Sequence, residues 1–134
     1  MMLDTHNTVL ILIDVQEKLT SVMHEREALI ESLVKLVKGV QLLEIPIIWL
    51  EQNPDKMGQT IPELRELMQT APPMTKMSFS CCGAEGFKEA LEASGCKQVL
   101  IAGIEAHVCV YQTAIELIRA SYAVEVVGDA VSSR

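Results

Sequence analysis

Three polar residues sit in short segments that otherwise look like buried chain: Asp14 in "LILIDVQ" (10–16), Lys76 in "TKMSFS" (75–80) and Cys109 in "GIEAHVCV" (103–110). A carboxylate can take a proton, a thiol that has lost one is a strong nucleophile, and an ammonium beside a thiol lowers its pKa. Each residue also has an ordinary reading. Asp14 would cap the following turn, Lys76 would be solvated, and Cys109 would be small core packing, the usual fate of a free cysteine. Cys109 falls near the start of a helix expected from about His107 to Ser121. Unpaired N–H groups and the dipole at that end favour a thiolate and offer donors to an oxyanion. The expectation from sequence is therefore a depressed Cys109 pKa, helped by Lys76.

His107 stands two residues before Cys109, where helical side chains diverge, so a direct Cys–His pair is not expected. It is a pocket candidate, as are Gln16 and Phe79 in the first two segments. Of the remaining cysteines, Cys81 and Cys82 read as packing or as pocket contacts near Lys76, and Cys96 after Gly95 as structural.

These residues need elements to position them. "TVLILIDVQ" (8–16) is a continuous apolar run that turns polar at Asp14. Between about Glu27 and Leu43, Leu29, Ile30, Leu33, Val34, Val37, Val40 and Leu43 recur at helical spacing. "IPIIWLEQ" (45–52) reads as a second strand, "IPELRELMQ" (61–69) as a short helix with Pro62 in its first turn, and 75–80 as a brief third strand. A helix over 84–94 stopped by Gly95, a strand at 98–103, the helix at 107–121 and a strand at 123–130 follow. Strands alternating with helices predict βαβ units and an α/β, three-layer, doubly wound parallel sheet of Rossmann type, one domain over 1–134. Ligands of such sheets bind beyond the carboxyl ends of the strands, where strand order reverses. If the first and fourth strands are neighbours there, Asp14 and Cys109 share a crevice. The sheet is expected either to be covered at its last strand by a partner subunit or to continue past Arg134.

Composition narrows the function classes. With 49% hydrophobic and 22% charged residues, 134 residues suffice for a real core. A net charge of −7 disfavours nucleic acid or an anionic membrane as the main partner. No apolar run is long enough to span a bilayer, no secretory leader is legible at the start, and the cysteines have neither C-x-x-C nor zinc-finger spacing. The expectation is a cytoplasmic protein without disulfides or a cofactor.

Taken together and in order, "LILIDVQ", "TKMSFS" and "GIEAHVCV" resemble the isochorismatase-like cysteine hydrolase family, along essentially the whole chain. "LEQNPDKMGQTIPEL" (50–64) and "GDAVSSR" (128–134) are similar to its branch of isochorismatase-domain-containing proteins. The resemblance implies a triad: Asp14 to accept and return the proton, Lys76 to support the charged pair, Cys109 as nucleophile. It also implies a cis peptide at Ile104–Glu105, with the backbone N–H groups of Glu105 and Cys109 forming the oxyanion hole. The family pattern further has a sixth strand and a final helix, which do not occur within these residues.

Two departures bear on chemistry. Ala106-His107 stands where family members often have Thr-Asp, which changes pocket polarity. The nicotinamidase branch binds a metal through histidines after the second strand; "EQNPDKMG" has none, so no catalytic metal is expected. Members acting on a vinyl ether often lack the cysteine, so its presence points to hydrolysis of a C–N bond in a small amide, by a homo-oligomer. Two other readings stay open: a non-catalytic interaction module on the same scaffold, and a thiol redox sensor using Cys81, Cys82 and Cys109.

Overall fold

A computed structural model describes residues 2–134. Five strands form one sheet in the order β3-β2-β1-β4-β5, every pairing parallel. They are β1 (Thr8–Ile13), β2 (Ile47–Gln52), β3 (Met74–Lys76), β4 (Gln98–Ile104) and β5 (Ala123–Ser132). Strand order reverses between β1 and β4, paired in register from Thr8↔Gln98 to Ile13↔Gly103. This is the switch point of a doubly wound sheet, so the carboxyl ends of β1 and β4 open onto one crevice.

Both faces of β1 are buried, which explains why its sequence is a continuous apolar run rather than an alternating one. Leu10 and Leu12 face a cluster with Leu33, Val37 and Val40 of the long helix α2 (Arg26–Leu42) and Leu64 of α4 (Pro62–Arg65). Val9, Ile11 and Ile13 face a second cluster with Phe87 and Leu91 of α5 (Phe87–Ala93) and Leu117 of α6 (Tyr111–Arg119). Helices thus cover both faces, as the alternating pattern predicts. Two four-residue helices, α1 (Glu17–Thr20) and α3 (Pro54–Met57), follow β1 and β2.

The differences from the sequence reading have local causes. β2 begins at Ile47, because Pro46 lies just outside the strand, where its carbonyl accepts the Leu10 N–H at 2.9 Å. β3 keeps only Met74–Lys76 of its region; the chain then bends so that Ser78 and Phe79 turn back toward Lys76. Residues 81–83 form a separate 3₁₀ turn, and α5 starts only at Phe87, after Gly86 at φ +84°. The helix expected at 107–121 is two pieces, a π-helical turn Ala106–Val110 and then α6.

Gly103 explains the glycine at the end of β4. It has φ +122°, and a Cβ there would collide with the Ile13 backbone. Only glycine allows the two central strands to approach this closely where they deliver Asp14 and the Cys109 turn.

Candidate active site at the carboxyl ends of the strands

Asp14, Lys76 and Cys109 meet at the switch point. Asp14 is the first residue past β1 and is fully buried; its N–H is held by the Leu50 carbonyl at 3.1 Å, and its φ of 54° is left-handed. A non-glycine residue in that region is uncommon and concentrates at functional sites. Lys76 ends β3 with 2% of its surface exposed, and its Nζ lies 2.8 Å from Asp14 Oδ2 in an ion pair without solvent contact. The same ammonium donates to the carbonyls of Ser78 and Phe79, each at 2.9 Å, to Gln52 Oε1 at 3.3 Å and to Cys109 Sγ at 3.6 Å.

A buried ammonium is tolerable only when paired and bonded in this way. Its other partner, Asp14, is less fully satisfied. Among the described residues, Asp14 Oδ1 and Thr20 Oγ1 are the buried side-chain oxygens with no hydrogen-bond partner. An unpaired buried carboxylate oxygen beside a thiol is the arrangement a proton acceptor requires.

Cys109 lies within the π-helical turn and is 5% exposed. The Val108 and Val110 N–H groups both donate to the Glu105 carbonyl, at 3.1 and 3.2 Å, so this turn closes around the cysteine. The Ile104–Glu105 peptide that leads into it is cis.

The electrostatics correct one expectation. Burial first, and then the negative charge of Asp14, push the Cys109 thiol up to about 12, overriding the opposing pull of Lys76. Lys76 does not release the thiolate because its charge is already committed to Asp14 and to several oxygens. Burial likewise raises the Asp14 carboxyl above its ordinary value, against the pull of Lys76. At rest Cys109 is therefore a thiol beside the Asp14 carboxylate and the Lys76 ammonium.

The remaining expected pocket residues divide. Phe79 contributes its carbonyl to Lys76 while its side chain is half exposed. His107 is exposed and turned away from the thiol, with Nδ1 2.8 Å from Ser133 Oγ. Gln16 is not a pocket residue. It is fully buried, accepts the Gln52 N–H at 2.7 Å, and donates from Nε2 to the carbonyls of Gln52 (2.9 Å) and Gly58 (2.8 Å). It clamps the end of β2 beside the end of β1.

Sequence reasoning missed Gln52, whose Oε1 accepts from both Cys109 Sγ, at 3.4 Å, and Lys76 Nζ. Its position at the carboxyl end of β2, next to β1, was the available signal. The Glu105 carboxylate pairs with Arg134 at 3.2 Å rather than with Lys76. Cys81 is buried behind the site, its N–H donating to Thr113 Oγ1, and Cys96 is buried as expected. Among the described residues no group of three His, Cys, Asp or Glu side chains could hold a metal ion, and no helix is long and apolar enough to cross a membrane. Two grooves, of about 510 Å³ along α2 and about 430 Å³ between the start of β2 and residues 68–71, are not lined by Asp14, Lys76 or Cys109.

Comparison with known proteins gives a consistent result. The isochorismatase domain matches residues 8–134. Isochorismatase domain-containing protein 2 of Danio rerio is 37% identical over 133 residues, covering 98% of this chain and 66% of that protein. The chain therefore spans just under two thirds of that relative. Among solved structures, the MAR1 ribonuclease of Caenorhabditis elegans superposes with a TM-score of 0.91 at 36% identity, covering 98% of this chain and 67% of the other. The YcaC protein of Escherichia coli, described as an octameric hydrolase of unknown specificity, superposes with a TM-score of 0.93 at 27% identity, covering 98% and 66%.

Proposed function

The chain belongs to the isochorismatase family, and from that premise we propose that it is a cysteine-dependent hydrolase cleaving the C–N bond of a small amide through a thioester on Cys109. The observation that carries this reading is the solvent-free contact of Lys76 with both Asp14 Oδ2 and Cys109 Sγ, at 2.8 and 3.6 Å, beside an unpartnered Asp14 Oδ1.

In the proposed cycle, Asp14 takes the Cys109 proton as Sγ attacks the substrate carbonyl. The backbone N–H groups of Glu105 and Cys109 hold the resulting oxyanion. Asp14 then returns the proton to the departing nitrogen, the C–N bond breaks, and the acyl group remains on sulfur. Water attacks the thioester with Asp14 accepting its proton; the acid leaves and the thiol is restored. Lys76 keeps a positive charge beside whichever partner is anionic, so proton transfer moves charge within a compensated pair. The raised Cys109 pKa keeps the sulfur protonated at rest, and the raised Asp14 pKa makes that carboxylate a stronger acceptor for its proton.

The Escherichia coli neighbour supports a hydrolase and a homo-oligomer, and the four free cysteines support a reducing compartment, the cytoplasm. The test is ammonia release from a panel of small primary amides by the wild type and by Cys109→Ala, with intact mass of the protein quenched during turnover. The reading expects release that Cys109→Ala abolishes and a transient acyl adduct on the wild type. Cys109-independent release would overturn it. RNA cleavage that depends on Cys109, with no amide turned over, would move the assignment toward the activity named for the Caenorhabditis elegans neighbour.

A further inference from the structure

We propose that Gln52 is a specificity-determining residue that donates from Nε2 to a second oxygen of the substrate, next to the carbon attacked by Cys109. This rests on the hydrolase reading above and narrows its substrate to a small amide carrying a further carbonyl or carboxylate oxygen beside the reacting carbon.

The first support is the orientation of the carboxamide. Its Oε1 lies 3.3 Å from Lys76 Nζ and 3.4 Å from Cys109 Sγ. An ammonium has only donors, and a thiol that keeps its proton also donates. Both neighbours demand an acceptor, so the oxygen must face them and the NH₂ group must face elsewhere. The second support is rigidity. Gln16 holds the Gln52 backbone on both sides, at 2.7 and 2.9 Å, so the side chain projects from a fixed point.

The third support is availability. Gln52 is only partly buried; among the described residues its Nε2 makes no hydrogen bond, yet it is absent from the buried polar atoms that lack a partner. A free, fixed donor therefore stands one carboxamide width from the atom that touches the nucleophile. The charge balance favours a neutral donor here. Asp14 and Lys76 already form a compensated buried pair, and a carboxylate at position 52 would add a third charge against the thiol.

Three small alkylating probes separate this role from simple support of the thiol. Iodoacetamide carries a carbonyl next to the reacting carbon, iodoacetate a carboxylate, and allyl iodide no oxygen. Second-order rates at Cys109 are measured at one pH in the wild type, Gln52→Leu and the nearly isosteric Gln52→Glu, with folding checked by circular dichroism. The expected result is a loss of about five- to tenfold toward the oxygen-bearing probes in both variants, the effect of one hydrogen bond. Allyl iodide should stay within about twofold in Gln52→Leu, and the larger of the two losses identifies a carbonyl or a carboxylate. Equal changes for all three probes would show that Gln52 only positions the thiol, and unchanged rates would remove it from recognition; either overturns the inference and leaves the hydrolase reading standing. If Cys109 of the wild type reacts with none of them, both fall. Should Gln52→Leu fail to fold, the uncharged and similarly shaped Gln52→Met takes its place with the same expected outcomes.

Discussion

At the scale of the residue, the site rests on one ion pair. Lys76 Nζ and Asp14 Oδ2 are 2.8 Å apart with neither side chain exposed. Removing one partner leaves the other charge buried and uncompensated, typically a loss of about 3–5 kcal/mol. Lys76→Met is expected to lose stability on that scale along with turnover, whereas Asp14→Asn/Lys76→Met recovers much of the stability and none of the activity. A double-mutant cycle by urea denaturation checks this, and strictly additive losses would contradict it.

Cys81 gives a prediction about pH. Burial, its leading cause, pushes this thiol up to about 12. Its folded pKa lies above its unfolded one, so the stability it contributes is fully present below about pH 9 and is lost as pH rises toward 12. One such group gives a slope of at most ~1.4 kcal/mol per pH unit. Cys81→Ala is therefore expected to flatten the alkaline limb of stability between pH 9 and 11, measured by urea midpoints. Parallel limbs for the two proteins would contradict this.

What was legible at this scale was residue type. Asp14, Lys76 and Cys109 have obvious chemistry at the ends of apolar runs. The direction of the Cys109 shift was not legible, because it depends on how a lysine distant in sequence divides its charge. Gln52 was legible only by its place at the end of the second strand, since a glutamine carries no intrinsic reactivity to draw attention to it.

At the scale of the element, the approach of β1 and β4 positions the chemistry. Val9–Ile13 and Val99–Ile101 were readable as strands because both faces are buried and both runs are apolar. The π-helical turn at Ala106–Val110 was not, because apolar periodicity cannot distinguish one extra residue per turn from an ordinary helix start. Gly103 ties the two strands together. Gly103→Ala places a methyl group against the Ile13 backbone at φ +122°, and it is expected to cost at least ~2–3 kcal/mol and to slow Cys109 alkylation by separating the strand ends. A urea midpoint within error of the wild type would show that the strands accommodate the methyl group, contrary to this account.

At the scale of the whole molecule, the strand order follows from which ends must meet: β1 and β4 at the centre bring Asp14 and Cys109 together, and β3 reaches them with Lys76 across β2. The doubly wound architecture was legible from alternating strand and helix patterns. The place of β3 at the edge opposite β5, beyond β2, was not, since order within a sheet is not written in local periodicity. Val126 is among the exposed residues of β5, and the Escherichia coli neighbour is described as octameric. Sedimentation velocity at micromolar concentration is expected to show a species heavier than the 14.8 kDa protomer; a monomer alone would count against self-association.

The central claim is that Cys109 rests as a thiol and gives up its proton to Asp14. Its most direct test is the pH dependence of iodoacetamide alkylation at Cys109, located by peptide mass spectrometry, in the wild type and in Asp14→Asn. The account predicts a wild-type rate still rising above pH 10, as a thiol held at about 12 requires. It predicts a profile displaced to lower pH in Asp14→Asn, where Lys76 remains and the opposing charge is gone, while amide turnover is lost. A wild-type thiol titrating near its ordinary value of ~8.5, or a profile that Asp14→Asn leaves in place, would contradict the coupling of thiol and carboxylate on which the mechanism depends.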